Sequence, residues 1–466
     1  MEKPDRSRIA LSREEMRSFG YRVVDLLVEH FAEMERGPVG AKVDPARIQK
    51  LSVAFPPEHG REPGELLVQL EREVFPNNLH VDHPRFFAFV PGPNNFISTM
   101  ADALAAGFNV FNGTWLGGSA AAALERGVVG WFCRMCGLPE TAGGLFVSGG
   151  SMANLTALVA ARHALLQDRV ERAIVYFSDQ THASVERALR VIGFSPEQMR
   201  KVPSDDNFRL PVADLRASIA EDRAEGLRPF CVIANAGTTN TGAVDPLPEL
   251  ADLATAEKLW LHVDGAFGAA SVLSPRGKKL LAGLDRADSI SLDPHKWFFQ
   301  SFECGCVLVR HIALLRSAFQ VRPDYLRDVH REAAEFNPCD YGVQLTRSFR
   351  ALKVWLSFET FGVAAFRQAI TRGFDLAELA ERELRARRAW QIMSPAQMAT
   401  VCFRFGDNDA LQTALVDIML RDGYAFLTST TLKGVTCLRL CTINPRTTES
   451  DVIETVKRLD ELAQQL

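Results

Sequence analysis

Hydrophobic and polar positions follow two different rhythms along this chain, and the change of rhythm divides it. In "LSREEMRSFGYRVVDLLVEHFAEM", Met16, Phe19, Val23, Leu26, Leu27 and Phe31 recur at helical spacing and form one apolar face. Ser12 and Glu15 stand before it at capping-box spacing, which predicts a helix start. A polar, Pro-rich stretch ("PPEHGREPGE") follows. A helical arm of this kind has no core of its own and must pack on the body of the protein or on a second subunit.

From about residue 95 the rhythm becomes short apolar runs ending in Gly, Ser, Asp or Asn. "GGLFVSGG", "RAIVYFSD", "FCVIANAG", "LWLHVDGAF", "DSISLDP" and "GCVLVR" read as strands, with "SMANLTALVAARHALLQD" and "LPELADLATAEK" as helices between them. The alternation predicts an α/β domain with a largely parallel sheet, in which ligands bind past the C-terminal ends of the strands. After about residue 350 comes a long helical stretch ("FRALKVWLSFETFGVAAFRQAITRGFDLAELAERELRAR"). "MATVCFRFG", a helix, "AFLTSTTLKGVTCLRLCTIN" and a last helix follow, the pattern of a small α+β domain. The expected organisation is a helical arm over 1–94, a large α/β domain over 95–350 and a C-terminal α+β domain over 351–466.

Composition narrows the class. The 466 residues exceed what one hydrophobic core supports. With 47% apolar and 24% charged residues and a net charge of −4, the chain reads as an ordinary globular protein. Nothing in that balance points to nucleic acid or an anionic membrane as a partner. No apolar run approaches the ~20 residues of a membrane span, and "MEKPDRSRIALSREEM" lacks the apolar core of a signal peptide. The expected location is the cytoplasm. Cys133 and Cys136 form a C-x-x-C, but within a helical pattern, where they read as small buried hydrophobes rather than a redox or zinc pair.

Four features carry chemistry. In "LFVSGGSMANLTALVAA" a strand ends at Val147, Gly149 and Gly150 make a turn, and a helix starts near Ser151. Convergent backbone N–H groups and the helix N-terminus suit a phosphate, although the motif is neither a Walker A loop nor G-x-G-x-x-G. Asp264 closes the strand of "LWLHVDGAFGAA". A carboxylate there serves as a metal ligand, a structural cap, or the partner of a protonated ring nitrogen, with the small residues after it leaving room for a flat ring. His182 follows a strand end in "YFSDQTHASVERA", where a structural role is the ordinary one. Lys296 lies in "SISLDPHKWFFQ"; a lone lysine in such company ordinarily lies along an aromatic with its head in water. Together, however, a phosphate seat, an acid for a ring nitrogen, a histidine for a ring face and a lysine in an apolar slot are what a pyridoxal phosphate enzyme needs. Desolvation in that slot is expected to favour the neutral, reactive amine.

The motifs then give a family. The chain resembles the group II pyridoxal-phosphate-dependent amino-acid decarboxylases, the family of aromatic L-amino-acid, tyrosine, tryptophan and glutamate decarboxylases, of fold type I. The resemblance covers nearly the whole chain, through "HPRFFAFVPGPNNF", "GTW", "GGSMANLTAL", "SDQTHASVERA", "AGTTNTGAVDPL", "HVDGAFG", "DPHKW" and "RSFRALKVW". It implies a large domain with a mainly parallel seven-stranded sheet and a homodimer with active sites at the interface. Position by position, Lys296 matches the Schiff-base lysine, Asp264 the partner of the pyridine nitrogen and His182 the histidine stacked on the cofactor ring and near the substrate carboxylate. Ala266 matches the small residue under the opposite face, and Thr239 a threonine that contacts the cofactor. Ser151, Met152 and Ala153 fall on the phosphate turn, backed by Ser148, with Asp293 and His295 near the phosphate on the lysine side. Tyr325, in "VRPDYLRDVH", matches the loop tyrosine that protonates the carbanion after carbon dioxide leaves. The substrate pocket implied by the resemblance has Val81 and Gly113 where aromatic-substrate members carry large aromatics, and Phe89 and Phe111 as walls. The implied reaction is decarboxylation of an L-amino acid to its amine. Alternatives are an aldehyde synthase, another carbon–carbon lyase of the sphingosine-phosphate type, or an inactive relative that only binds.

Overall fold

The protein is described by a computed structural model, covering residues 9–53, 55–321, 324 and 335–466. The first helix, α1 (Arg13–Glu33), starts at the expected capping box: the Glu15 amide donates to Ser12 Oγ at 3.2 Å and the Ser12 amide to Glu15 Oε2 at 2.8 Å. None of its residues is buried; Met16 and Tyr21 are 55% and 67% exposed. Helices α2 (Pro45–Val53), α3 (Pro63–Gln69) and α4 (Phe96–Gly107) lead to α5 (Trp115–Met135). Cys133 lies in the last turn of α5 and Cys136 caps it. Burial pushes both thiols up to about 12, so they stay protonated near neutrality.

The central layer is a seven-stranded sheet. Its elements run β1 (Gly143–Val147), α6 (Gly150–Leu166), β2 (Ala173–Ser178), α7 (Ala183–Val191), β3 (Met199–Val202), α8 (Val212–Ala224) and β4 (Arg228–Asn235). They continue through α9 (Leu247–Glu257), β5 (Trp260–Asp264), α10 (Pro275–Leu280), β6 (Ser289–Leu292), β7 (Gly305–Val309) and α11 (Ala313–Phe319). The spatial order is β1-β7-β6-β5-β4-β2-β3; only β7 runs against its neighbours. Successive side chains of β4 enter opposite cores: Val232 and Ala234 one, Cys231 and Ile233 the other. Both faces are therefore covered by helices, which is why these strands read as near-continuous apolar runs. β3 ("MRKV") is too short and polar to stand out in the sequence.

Helix α12 (Ala351–Arg385) spans 35 residues, broken at Gly362, whose φ of 73° falls in the region that favours glycine. A second sheet, ordered β10-β11-β9-β8 and wholly antiparallel, follows. It comprises β8 (Trp390–Gln397), β9 (Thr400–Phe405), β10 (Thr428–Leu432) and β11 (Val435–Cys441), with α13 (Asp409–Asp422) and α14 (Glu449–Ala463) packed on it through Leu415, Met419, Val456 and Leu459. Among the described residues no helix is long and apolar enough to cross a membrane.

One buried ion pair joins the first helical layer to the sheet. Arg347 Nη2 lies 2.6 Å from Glu125 Oε1 on α5, with neither side chain exposed, and donates to the carbonyl of Phe146 on β1 at 2.7 Å. Glu125 Oε1 also accepts from the Phe146 amide at 2.9 Å. Arg347→Ala would strand this carboxylate in a dry interior. The expected loss is about 3–5 kcal/mol of folding free energy, measured by urea unfolding, and the double change Arg347→Met with Glu125→Gln should recover much of it.

Candidate active site

The polar groups gather where the parallel strands end. β2 finishes at Ser178, β4 at Asn235 and β5 at Asp264, and the turn after β6 carries Asp293, His295 and Lys296. Together with the turn into α6 they line a cavity of about 410 Å³, within the size range of small-molecule sites. Ser151, Met152, His182, Thr239, Asp264, Ala266, Asp293, His295 and Lys296 all border it, as does Ser148.

A candidate anion seat is the N-terminus of α6, where the Met152 and Ala153 amides donate to the Gly149 carbonyl at 2.9 Å and the Gly150 and Ser151 amides precede the first helical turn. Gly149 precedes it in an extended conformation. A Cβ at Gly150 would lie 2.8 Å from the Ala266 methyl and 2.9 Å from Asp293 Oδ2, so only glycine keeps this edge of the cavity open. Ala153 does not share in the seat: it is fully buried, packed among Leu145, Val147 and Phe177 behind the helix.

Asp264 is nearly buried. Its Oδ1 accepts from Ser291 Oγ at 2.9 Å and the Ala266 amide at 3.2 Å, and its Oδ2 from Asn154 Nδ2 at 2.9 Å. Burial pushes its pKa up, but the nearby His262 and Lys296 and the hydrogen bonds from Asn154 and Ser291 outweigh it. The net effect lowers the pKa and keeps the carboxylate ionised. His182 caps α7, its Nδ1 accepting from the Ser184 amide at 3.2 Å and lying 2.8 Å from Ser184 Oγ. Burial lowers its pKa against the opposing pull of Asp264, so the ring is neutral near pH 7. His295 Nδ1 accepts from the Cys304 amide at 3.0 Å, which leaves its proton on Nε2 when neutral; burial lowers its pKa as well.

Lys296 corrects the expectation of an apolar slot. Its side chain is 24% exposed and its Nζ sits 3.1 Å from Asp293 Oδ2. The aromatic neighbours point away: Trp297 is wholly buried and stacks on Phe267 at 5.4 Å, and Phe298 stacks on Phe132 at 5.4 Å. An acid, not a hydrocarbon wall, holds the amine.

Other expected residues fall elsewhere. Val81 packs beside the cluster of Val39, Phe86, Ala88 and Phe426, Phe89 is 58% exposed, and Phe111 lies against Gly113 and Gly117. None of these four expected pocket residues, Val81, Phe89, Phe111 or Gly113, borders the cavity in the single chain. Tyr325 lies outside the described residues. Conversely, Asn154, Ser184, Asn235, Thr238 and Glu303 border the cavity without having been singled out from sequence. For Asn154 a signal existed: a polar residue three positions after Ser151, hence on the same helix face, in the first turns of a mostly apolar helix.

This donor set fits a phosphorylated pyridine ring. The first amides of α6 can receive an anion, a buried ionised acid can hold a proton on a ring nitrogen, and Asp293 Oδ1 is a buried atom without a partner. An α/β enzyme site past the strand ends of a mainly parallel sheet, with a lysine, an acid and a histidine around an anion seat, is thereby defined. The chain belongs to the pyridoxal-dependent decarboxylase family, whose conserved domain matches residues 45–406, and is a pyridoxal-phosphate-dependent amino-acid decarboxylase. It is 47% identical to an aromatic-L-amino-acid decarboxylase of Bacillus atrophaeus, over 98% of this chain and 97% of that one. A phenylacetaldehyde synthase of Petunia hybrida is 30% identical, over 94% of this chain and 92% of its own length. The crystal structure of Oryza sativa TDC with PLP and tryptamine superposes with a TM-score of 0.93 at 29% identity, covering 98% of this chain and 99% of that one.

Beneath the site, His262 is wholly buried, and burial lowers its pKa to about 4 despite the pull of Asp264. A base with a depressed folded pKa takes its proton in the unfolded chain first. The stability this residue permits is thus fully present above about pH 6.5 and lost as pH falls toward 4, by about 3 kcal/mol at most. His262→Gln should flatten that part of the stability profile, measured by urea unfolding between those two pH values.

Proposed function

We propose that this enzyme decarboxylates an aromatic L-amino acid to the corresponding amine, with pyridoxal phosphate seated in the cavity bounded by Lys296, Asp264, His182 and the N-terminus of α6. The observation that carries the reading is the convergence of those four elements on one space. When bound, the cofactor supplies an electron sink for the pair left on the α-carbon as carbon dioxide departs. The rest is the protein's work. The amides at the start of α6, with Ser148, Ser151, Met152 and the neutral His295, hold the phosphate. Asp264, ionised and fixed by three donors, holds a proton on the ring nitrogen. His182 would cover one ring face, the Ala266 methyl would leave room at the other, and Thr239 would contact the cofactor. Lys296 presents the amine that carries the cofactor and that the substrate's amine displaces, with Asp293 as its partner. Tyr325 delivers a proton to the α-carbon after the carboxylate has gone.

An aromatic substrate is supported by the names of the relatives. The arm over 1–94, the body over 95–350 and the C-terminal unit over 351–466 act, in this reading, within a homodimer that shares its active sites. The exposed apolar face of α1 supports that, as do Phe89 and the 38%-exposed Phe111, which a second copy would turn into walls of its pocket with Val81 and Gly113. A cytoplasmic setting is supported by nine cysteines present as free thiols. A second reading, decarboxylation with oxygen-dependent deamination to an aldehyde, draws on the resemblance to the Petunia enzyme; the tyrosine at position 325 favours the amine.

Purified protein should show a visible absorption band with pyridoxal phosphate and release carbon dioxide from tryptophan, tyrosine or phenylalanine with equimolar amine. Lys296→Ala should abolish the band and lower kcat/KM by more than about 10³-fold. Aldehyde, ammonia and peroxide in place of amine would establish the second reading; a wild-type protein that stays colourless would overturn both.

A further inference from the structure

A hydrogen-bonded chain runs beneath the cavity from one side to the other, and its proton positions follow from its members. Asp264, an ionised carboxylate, can only accept, so the Asn154 atom 2.9 Å from its Oδ2 must be the amide nitrogen. The Asn154 carbonyl oxygen then faces His262 Nε2 at 3.0 Å, which must carry a hydrogen. Neutral His262 is left to accept at Nδ1 from the Ser289 hydroxyl at 2.9 Å, and that hydroxyl in turn accepts from Trp260 Nε1 at 2.8 Å. In the other direction, the second amide hydrogen of Asn154 goes to Ser184 Oγ at 3.0 Å. Ser184 is thereby directed to donate its own proton to His182 Nδ1 at 2.8 Å, where the Ser184 backbone amide already points. Both donors require that nitrogen to be bare. Every group in the chain is satisfied by one arrangement, and turning the Asn154 amide over would set its oxygen against the Asp264 carboxylate.

Resting on the reading of His182 and Asp264 given above, we propose that Asn154 and Ser184 are positioning residues that fix His182 as the neutral tautomer with its proton on Nε2, aimed into the cavity, while the same Asn154 amide holds Asp264. The consequence is chemical. A cationic histidine would bind the substrate carboxylate tightly before reaction and lose that attraction as neutral carbon dioxide forms, which deepens the ground state and raises the barrier. A neutral N–H orients the carboxylate with little such cost and keeps one proton at a defined atom. The charged groups around the ring are Asp264 from β5, Lys296 and Asp293 from the turn after β6, and Arg187 on α7 itself. The two acids and the two cations oppose one another there, which leaves burial and the hydroxyl donor at Nδ1 to set its protonation.

The test reads the tautomers directly. Full-length protein carrying ¹⁵N-labelled histidine is examined by NMR with and without pyridoxal phosphate, with His182→Gln and His262→Gln assigning the two rings. Both are expected as Nε2–H tautomers at neutral pH. Ser184→Ala removes one donor to Nδ1, and should move the titration of His182, and the acid limb of kcat/KM, to higher pH; Ser184→Thr, which keeps the hydroxyl, should restore both. A proton found on Nδ1 of either ring, or an unmoved His182 titration in a Ser184→Ala protein of unchanged melting temperature, would overturn the proposal. Neither result touches the visible band and its loss in Lys296→Ala, so a failure here is separable from a failure of the proposed function.

Discussion

An ionised carboxylate cannot sit in a dry interior without donors around it, and much of this structure is arranged to supply them to Asp264. The Ser291 hydroxyl comes from the neighbouring strand, the Asn154 amide from α6, and the Ala266 amide from the chain just beyond Asp264 itself. Each donor arrives only if its element is in register. Asp264 stands opposite Ser291 on β6 and opposite Asn235 on β4, so a one-residue slip of either pairing would turn the polar ends into the cores and leave the charge unpaired. The uncompensated charge would cost several kcal/mol, as much as a large part of a typical fold's stability. The carboxylate therefore ties the register of the sheet to the chemistry of its edge.

The lysine is positioned by a different means. Lys296 is followed by residues that are anchored by packing: Trp297 stacks on Phe267 and meets Phe374, and Phe298 is wedged against Phe132 and Phe358. These rings bury large areas and fix the backbone of the turn, so that one side chain of the run has nowhere to go but the cavity. The aromatic neighbours act through rigidity, and the amine itself is met by Asp293.

Much of this was legible in the sequence, and the misses have physical reasons. The buried strands announced themselves as apolar runs because both sheet faces are covered, and their polar terminators marked the site. β3 was missed because four residues at a sheet edge need no apolar pattern, and β8 because its exposed positions interrupt any alternation. Ala153 looked like part of the phosphate turn by proximity, yet a helix turns each residue by a new angle, and its side chain enters the core while Ser151 and Asn154 face the cavity. Ser184 and Ser291 gave no local signal, and the polar position at Asn154 did not show what it would hold. Their importance lies in contacts across 27 to 110 positions of sequence, which no local pattern encodes.

The charge balance of the cavity limits how an anion can be held there. Among the described residues that border it, Lys296 is the single lysine or arginine, and Asp264, Asp293 and Glu303 are acids. Lys296 is engaged by Asp293, Glu303 lies 2.7 Å from the Arg350 guanidinium, and His182 and His295 are both driven toward neutrality by burial. In the proposed function, a phosphate in the seat would be met by the amides at the start of α6, by hydroxyls and by neutral N–H groups rather than by opposite charge. Such a seat works at short range: it selects by the geometry of donors and by the helix dipole, and salt screens it far less than it would screen an arginine cluster. The cavity's one lysine amine is thus left for bond-making, and binding falls to groups that do not compete with it.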